Sequence, residues 1–225
     1  MVGAVILALV GVVVGVGWWL GAIGAVAGAG VAWWLVHRTP DRALAAIGAV
    51  PLQGASRLEN LVEGLCLANG ITVPHLMVVE SGARNTCVIG LAEPHASLVV
   101  TRGLLDNLGR IELEGVVARQ LALIKSGHGA FGTLVAGIAS VWPGAIDRLV
   151  PERSDVVADM RAVGLTRYPP GLLEALEQIE TDPVLTSAPG WTRHLWIEDP
   201  VGPANGRPGS SHSPIDERLA TLREL

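Results

Sequence analysis

The first 36 residues of this 225-residue chain contain no Asp, Glu, Lys, Arg or His; His37 and Arg38 are the first ionisable side chains. A secretory leader needs a positive start, a short apolar core and a small-residue cleavage site. This stretch has no charge and is too long. One straight helix over residues 2–36 would reach about 52 Å at ~1.5 Å per residue, against a hydrocarbon layer of about 30 Å. A tight membrane hairpin of two short spans, residues 2–17 and 21–36, is therefore expected. Trp18-Trp19 and Trp33-Trp34 would lie about 22 Å apart along a helix, and indoles collect at the headgroup level. Glycines at 11 and 15, 17 and 21, and 24 and 28 repeat at the spacing that lets helices approach closely in lipid. The hairpin tip is uncharged, while Arg38 and Arg42 follow the second span. The positive-inside rule then puts residues 38–225 on the cytoplasmic side of the inner or plasma membrane.

Beyond that segment the chain reads as a soluble domain. A net charge of −5, with 16 basic residues spread without runs, excludes a nucleic-acid binder, which needs a basic stripe. Cys66 and Cys87 are too few for a disulfide scaffold or a Cys-based zinc module; they read as free thiols of a reducing compartment, one disulfide being the other option. Residues 40–53 read as a linker and short helix. Ser56–Asn69 reads as an amphipathic helix with Leu58, Leu61, Val62, Leu65 and Cys66 on one side and Gly70 as its cap. Three short β-like runs follow, at 75–80, 85–90 and 97–101, expected as a small three-stranded meander. Helices are expected at 104–108, Arg110–Lys125, 152–164, 171–179 and 214–224, with a flexible Gly/Pro/Ser-rich loop at 200–214. The expected class is α+β, mostly helical, with a membrane hairpin at 1–37 and a domain at 38–225.

The order of these parts resembles the HtpX-type family of membrane-anchored zinc metallopeptidases. Residues 67–103 (LANGITVPHLMVVESGARNTCVIGLAEPHASLVVTRG) are similar to the family's helix, strands and entry to the next helix. Residues 111–125 (IELEGVVARQLALIK) resemble its zinc-binding helix. Residues 193–196 (RHLW) and 211–222 (SHSPIDERLATL) resemble its closing segments. The resemblance implies a zincin-like domain.

The departure falls on the chemistry. The family's helix carries His-Glu-x-x-His, two ligands on one helical face with a Glu that activates the zinc-bound water. The matching residues here are Arg119, Gln120 and Leu123. A guanidinium is always protonated and has no acceptor, Gln120 has no basic oxygen, and Leu123 has no ligand atom. The family's third ligand is a Glu followed four residues later by an Asp; Asp155 and Asp159 stand there. Catalytic zinc takes three protein ligands and an open position, so no zinc or other cofactor is expected. His194 and His212 match segments that lie near the family's site. Residues 130–146 are apolar but interrupted by Pro143. A single crossing there would put Asp155 across the membrane from Arg119, so a buried or membrane-surface helix is expected. The 31 residues between Leu123 and Asp155 are too few for two spans.

The leading expectation is a pseudopeptidase that binds a peptide or protein partner without cleaving it. The resemblance places its peptide edge at Asn85, Thr86, Cys87 and Val88, where main-chain hydrogen bonds could hold an extended partner. An active zinc peptidase would need non-standard ligands drawn from Asp155, His194 and His212. A structural subunit built around the glycine-rich hairpin is the third reading. Asp155 and Asp159 without a metal would repel, and Arg119 brings a fork that fits carboxylates. Arg119 is therefore expected to pair with Asp155, Asp159 or both, standing in structurally for the metal.

Overall fold

In the computed structural model, the described residues are 23–30, 33–34, 36–151, 153–180, 188–200 and 212–225. The chain divides into two compact units, Met1–Arg38 and Thr39–Leu225. The expected first span and hairpin tip lie outside the described residues; residues 23–30 and 33–34 of the second are helical. Among the described residues no single helix is long and apolar enough to cross a membrane.

The second unit begins with a helix at 39–46 (α1) and a two-residue strand, Val50–Pro51 (β1). Helix α2, Ser56–Asn69, ends where expected: Gly70 takes the left-handed conformation at φ 62°, which glycine adopts without a Cβ clash. Strands β2 (His75–Val79), β3 (Thr86–Ile89) and β4 (Ser97–Thr101) follow. The meander is overturned. The sheet has four strands in the order β1-β2-β4-β3, with β2 and β4 parallel and β3 antiparallel to β4. All five residues of β4 are buried, whereas β2 begins exposed. A strand covered on every side belongs in the middle of a sheet, so β4 inserts between its predecessors. Strand β1 escaped notice because two residues carry no alternation, and its Pro51 is tolerated only at an edge.

Helix α3, Arg102–Asn107, starts two residues earlier than expected because the Thr101 hydroxyl caps it, accepting from the Leu104 N–H. Helix α4, Arg110–Lys125, is the centre of the unit; every residue from Val116 to Ala122 is buried. Helices α5 (His128–Ala139), α6 (Ala145–Leu149), α7 (Ser154–Thr166) and α8 (Pro169–Glu180) follow, then a 3₁₀ turn at Gly190–Leu195 and α9, Ile215–Arg223. One core joins Leu98 and Val100 of the sheet, Val117 and Leu121 of α4, Leu172 and Leu176 of α8, and Leu219 of α9. Helices α4 and α8 cross almost backbone to backbone: a Cβ on Gly115 would lie 2.5 Å from the Leu172 nitrogen.

Helix α5 does not continue α4 but turns from it by 77°. It buries Thr133, Val135, Ala136 and Ala139, and α7 then returns Asp155 beside α4. The 130–146 stretch therefore stays on one side of the unit, as the common site of Arg119 and Asp155 demands. Cys66 and Cys87 are buried free thiols.

Candidate functional site

Three parts of the chain converge on the middle of α4. Arg119 leaves α4 fully buried; Asp155 and Asp159, one turn apart on α7, face it; and residues 193–198 and 212–218 close over both. The Arg119 Nη2 donates to Asp155 Oδ1 at 2.6 Å and its Nε to Asp159 Oδ1 at 2.7 Å. One planar cation thus bridges two carboxylates that burial would otherwise set against each other. The expected pairing of Arg119 holds with both partners.

The sequence reading missed a second guanidinium. Arg218 on α9 donates through Nε to Asp159 Oδ2 at 2.7 Å, through Nη2 to Asp159 Oδ1 at 3.0 Å, and through Nη1 to the Ile197 carbonyl at 2.8 Å. Glu198 lies 3.6 Å from its Nη1. A signal was available: on α9 the buried residues are Ile215, Arg218, Leu219 and Leu222. An arginine on the apolar stripe of a helix needs a buried anion.

His212 completes the cluster. Its Nδ1 lies 3.1 Å from Asp155 Oδ2 and its Nε2 2.9 Å from the Arg193 carbonyl. Both partners are acceptors, so this geometry favours the doubly protonated ring, in which both nitrogens donate. Burial works against that charge, but Asp155 and Glu198 outweigh it and raise the His212 pKa. Asp155 also accepts from the Ser213 N–H at 3.2 Å. Burial would raise the Asp155 pKa, yet His212, Arg218 and Arg119 hold it far below the usual carboxylate range. Arg119, Arg218 and His212 thereby balance Asp155, Asp159 and Glu198, three charges against three. Such a cluster is tolerable in a low-dielectric interior because each charge lies against one of opposite sign, and Arg119, Arg218, Asp155 and Asp159 are hydrogen-bonded as well.

The other expected positions fall around this cluster. Leu123, Val88, His194 and Trp196 line, with Arg119 and Asp155, a cleft of about 70 Å³. His194 donates from Nε2 to the Gly132 carbonyl at 2.9 Å, while its buried Nδ1 has no hydrogen-bond partner among the described residues. Burial, with help from the charges of His212 and Arg193, pushes its pKa down to about 4. Gln120 directs its amide nitrogen at the Thr86 carbonyl, 3.4 Å away, and its Oε1 has no hydrogen-bond partner among the described residues.

The expected peptide edge is corrected. Strand β3 is at the edge of the sheet, but Thr86, Cys87 and Val88 are buried. The Thr86 carbonyl accepts from the Ile197 N–H at 2.8 Å, and Cys87 forms a β-bridge with Trp196. Asn85 donates to the Glu198 carbonyl at 2.9 Å. The chain's own 196–198 segment occupies the place of an added strand, and a mostly apolar segment next to an unpaired edge does so by the same main-chain bonds a partner would use.

A zinc ion does not fit these donors. The helix position that would supply a ligand holds a guanidinium, Leu123 offers none, and both nitrogens of His212 are committed. Among the described residues no group of three or more His, Cys, Asp or Glu could hold a metal ion.

No family model matches the chain. A Protease HtpX homolog of Dictyoglomus thermophilum is 31% identical over 75% of this chain and 69% of its own length. The chain belongs to the HtpX family. A second HtpX homolog, of Thermoanaerobacter pseudethanolicus, is 28% identical over 85% of this chain and 80% of its own. A third, of Tropheryma whipplei, is 28% identical over 75% and 72%. In this HtpX-family chain, an ionic cluster stands at the positions where the resemblance puts the metal.

Proposed function

We propose that this chain is a non-proteolytic member of the HtpX family, held at a membrane by its uncharged N-terminal segment and acting through a protein or peptide partner. The observation that carries this reading is the Arg119 guanidinium clamped between Asp155 and Asp159. Proteolysis of this type needs an electrophile that polarises the scissile carbonyl and a base that activates water. Arg119 is a cation without an open coordination position, and Gln120 takes no proton. Both nitrogens of His212 already donate, and the carboxylate of Asp155 is saturated by three donors. The N-terminal segment, with its paired tryptophans and the arginines that follow it, supports an anchor with residues 38–225 on the cytoplasmic side.

The test is metal analysis of the full chain purified from membranes, paired with a casein degradation assay. Substoichiometric zinc and no cleavage above a buffer control are expected. One equivalent of zinc, or cleavage abolished by a chelator, would overturn the reading. Partner binding is tested by recovering proteins from solubilised membranes with the wild-type chain and with a Val88→Pro variant. Because 196–198 already fills the β3 edge, identical partners are expected from both.

A further inference from the structure

Helix α5 has a face that its own unit leaves uncovered. No ionisable side chain occurs between His128 and Asp147. Phe131, Leu134 and Ile138 are exposed on α5, and Val141 and Trp142 on the turn after it. The spacings of three and four place all five on one stripe about 100° wide. The Val141 and Trp142 N–H groups both bond to the Ile138 carbonyl, so the stripe continues unbroken past the end of the helix. An uninterrupted apolar stripe of this kind marks a binding surface.

Its position says what covers it. Helix α5 is packed against the first residues after the uncharged N-terminal segment. A Cβ on Gly137 would lie 2.5 Å from the Thr39 hydroxyl oxygen, and Ala136 shares a core with Ala43 and Ile47 of α1 and the loop after it. Thr39 directly follows the segment read as the anchor, so the stripe is tethered beside the point where the chain leaves the bilayer. At its far end the Arg148 guanidinium stacks on Trp142, 4.9 Å from the ring centroid. An indole at the headgroup boundary with a cation beside it, free to reach the phosphates, is a common interfacial pairing.

We propose that α5 and the turn after it lie in the plane of the membrane, with Phe131, Leu134, Ile138, Val141 and Trp142 seated at the boundary between headgroups and acyl chains. At about 5–10 Å depth, this seating fixes the cleft beside Arg119 close to the bilayer surface, since Phe131 lines that cleft as well. The proposal rests on the anchor reading above.

The test uses the full chain in vesicles of phosphatidylethanolamine and phosphatidylglycerol. The native thiols are buried, so Ile138→Cys, Val141→Cys and the reference Leu67→Cys, at an exposed position of α2, can each be labelled with an environment-sensitive fluorophore. Flotation of the wild-type chain with the vesicles comes first; a chain that does not float removes both the anchor and this proposal. With flotation established, labels at 138 and 141 are expected to be severalfold less quenched by aqueous iodide than the label at 67. Bromine-substituted lipid should quench them more. Labels at 138 and 141 as open to iodide as the one at 67 would overturn the proposal and leave the anchor standing. Protection that vanishes when the protein is diluted in lipid would assign the face to a second copy and overturn it too.

Discussion

At the scale of single residues, the cluster makes removal of one charge costly. Arg119→Ala strands Asp155 and Asp159 without a bridging cation, and about 3–5 kcal/mol of stability should be lost, read from urea unfolding followed by circular dichroism. Arg119→Lys keeps the charge but cannot reach both carboxylates from two nitrogens. It should cost about 1.5–3 kcal/mol, the worth of one charged hydrogen bond. Two histidines predict opposite pH limbs. His194 is neutral with a pKa near 4, so the unfolded chain takes up protons first as pH falls from about 6.5 to 4, and stability drops by ~3 kcal/mol across that window. His212 has a raised pKa, so its contribution is complete below about 6.5 and is lost as pH rises through its folded value. Melting temperature against pH should therefore peak between the two limbs. His194→Gln should flatten the acid side and His212→Asn the alkaline side. Asp155, held far lower, keeps its full contribution above about pH 5 and adds to the acid limb only below that. Of this site, Arg119 and its two aspartates were legible because the motif positions fixed who would meet whom. The roles of Arg218 and His212 were not, because their partners come from a segment about 60 positions away, and spacing alone does not report a long-range ion pair.

At the scale of elements, the close crossing of α4 and α8 is a tight constraint. Gly115→Ala would place a methyl within 2.5–2.8 Å of the Gly171 and Leu172 backbones, which no rotamer change can relieve. A loss of about 1–3 kcal/mol, the usual cost of overpacking, should appear as a lowered melting temperature. Gly64→Ala on α2, with open space around it, should instead be neutral or slightly stabilising. The helices were legible because 3.6-residue periodicity and caps such as Gly70 are local signals. The strand order was not, since which strand sits centrally depends on what covers its two faces and edges. The same limit applies to the β3 edge, whose occupant, Trp196–Ile197, lies more than 100 residues on.

At the scale of the molecule, the cleft residues allow a test of ancestry by chemistry. Arg119 and Leu123 face one cavity with Asp155, as ligands of a common metal would. Restoring the family set through Arg119→His, Gln120→Glu, Leu123→His and Asp155→Glu together should give a chain that takes up zinc, measured by competition with a colorimetric chelator. Arg119→His alone should not, because one imidazole and an aspartate fall short of three well-placed ligands.

The ionic cluster also joins stretches of chain that are far apart in sequence, and this bears on what happens when the backbone is cut. Glu198 is held through Arg218, and His212 through Asp155, so both ends of the 201–211 stretch are fastened to the same buried point. A protease that severs the chain there would part the covalent thread without releasing the tail. Residues 212–225 should remain seated as a separate strip, and a synthetic peptide of that sequence should restore order to a chain ending at 200.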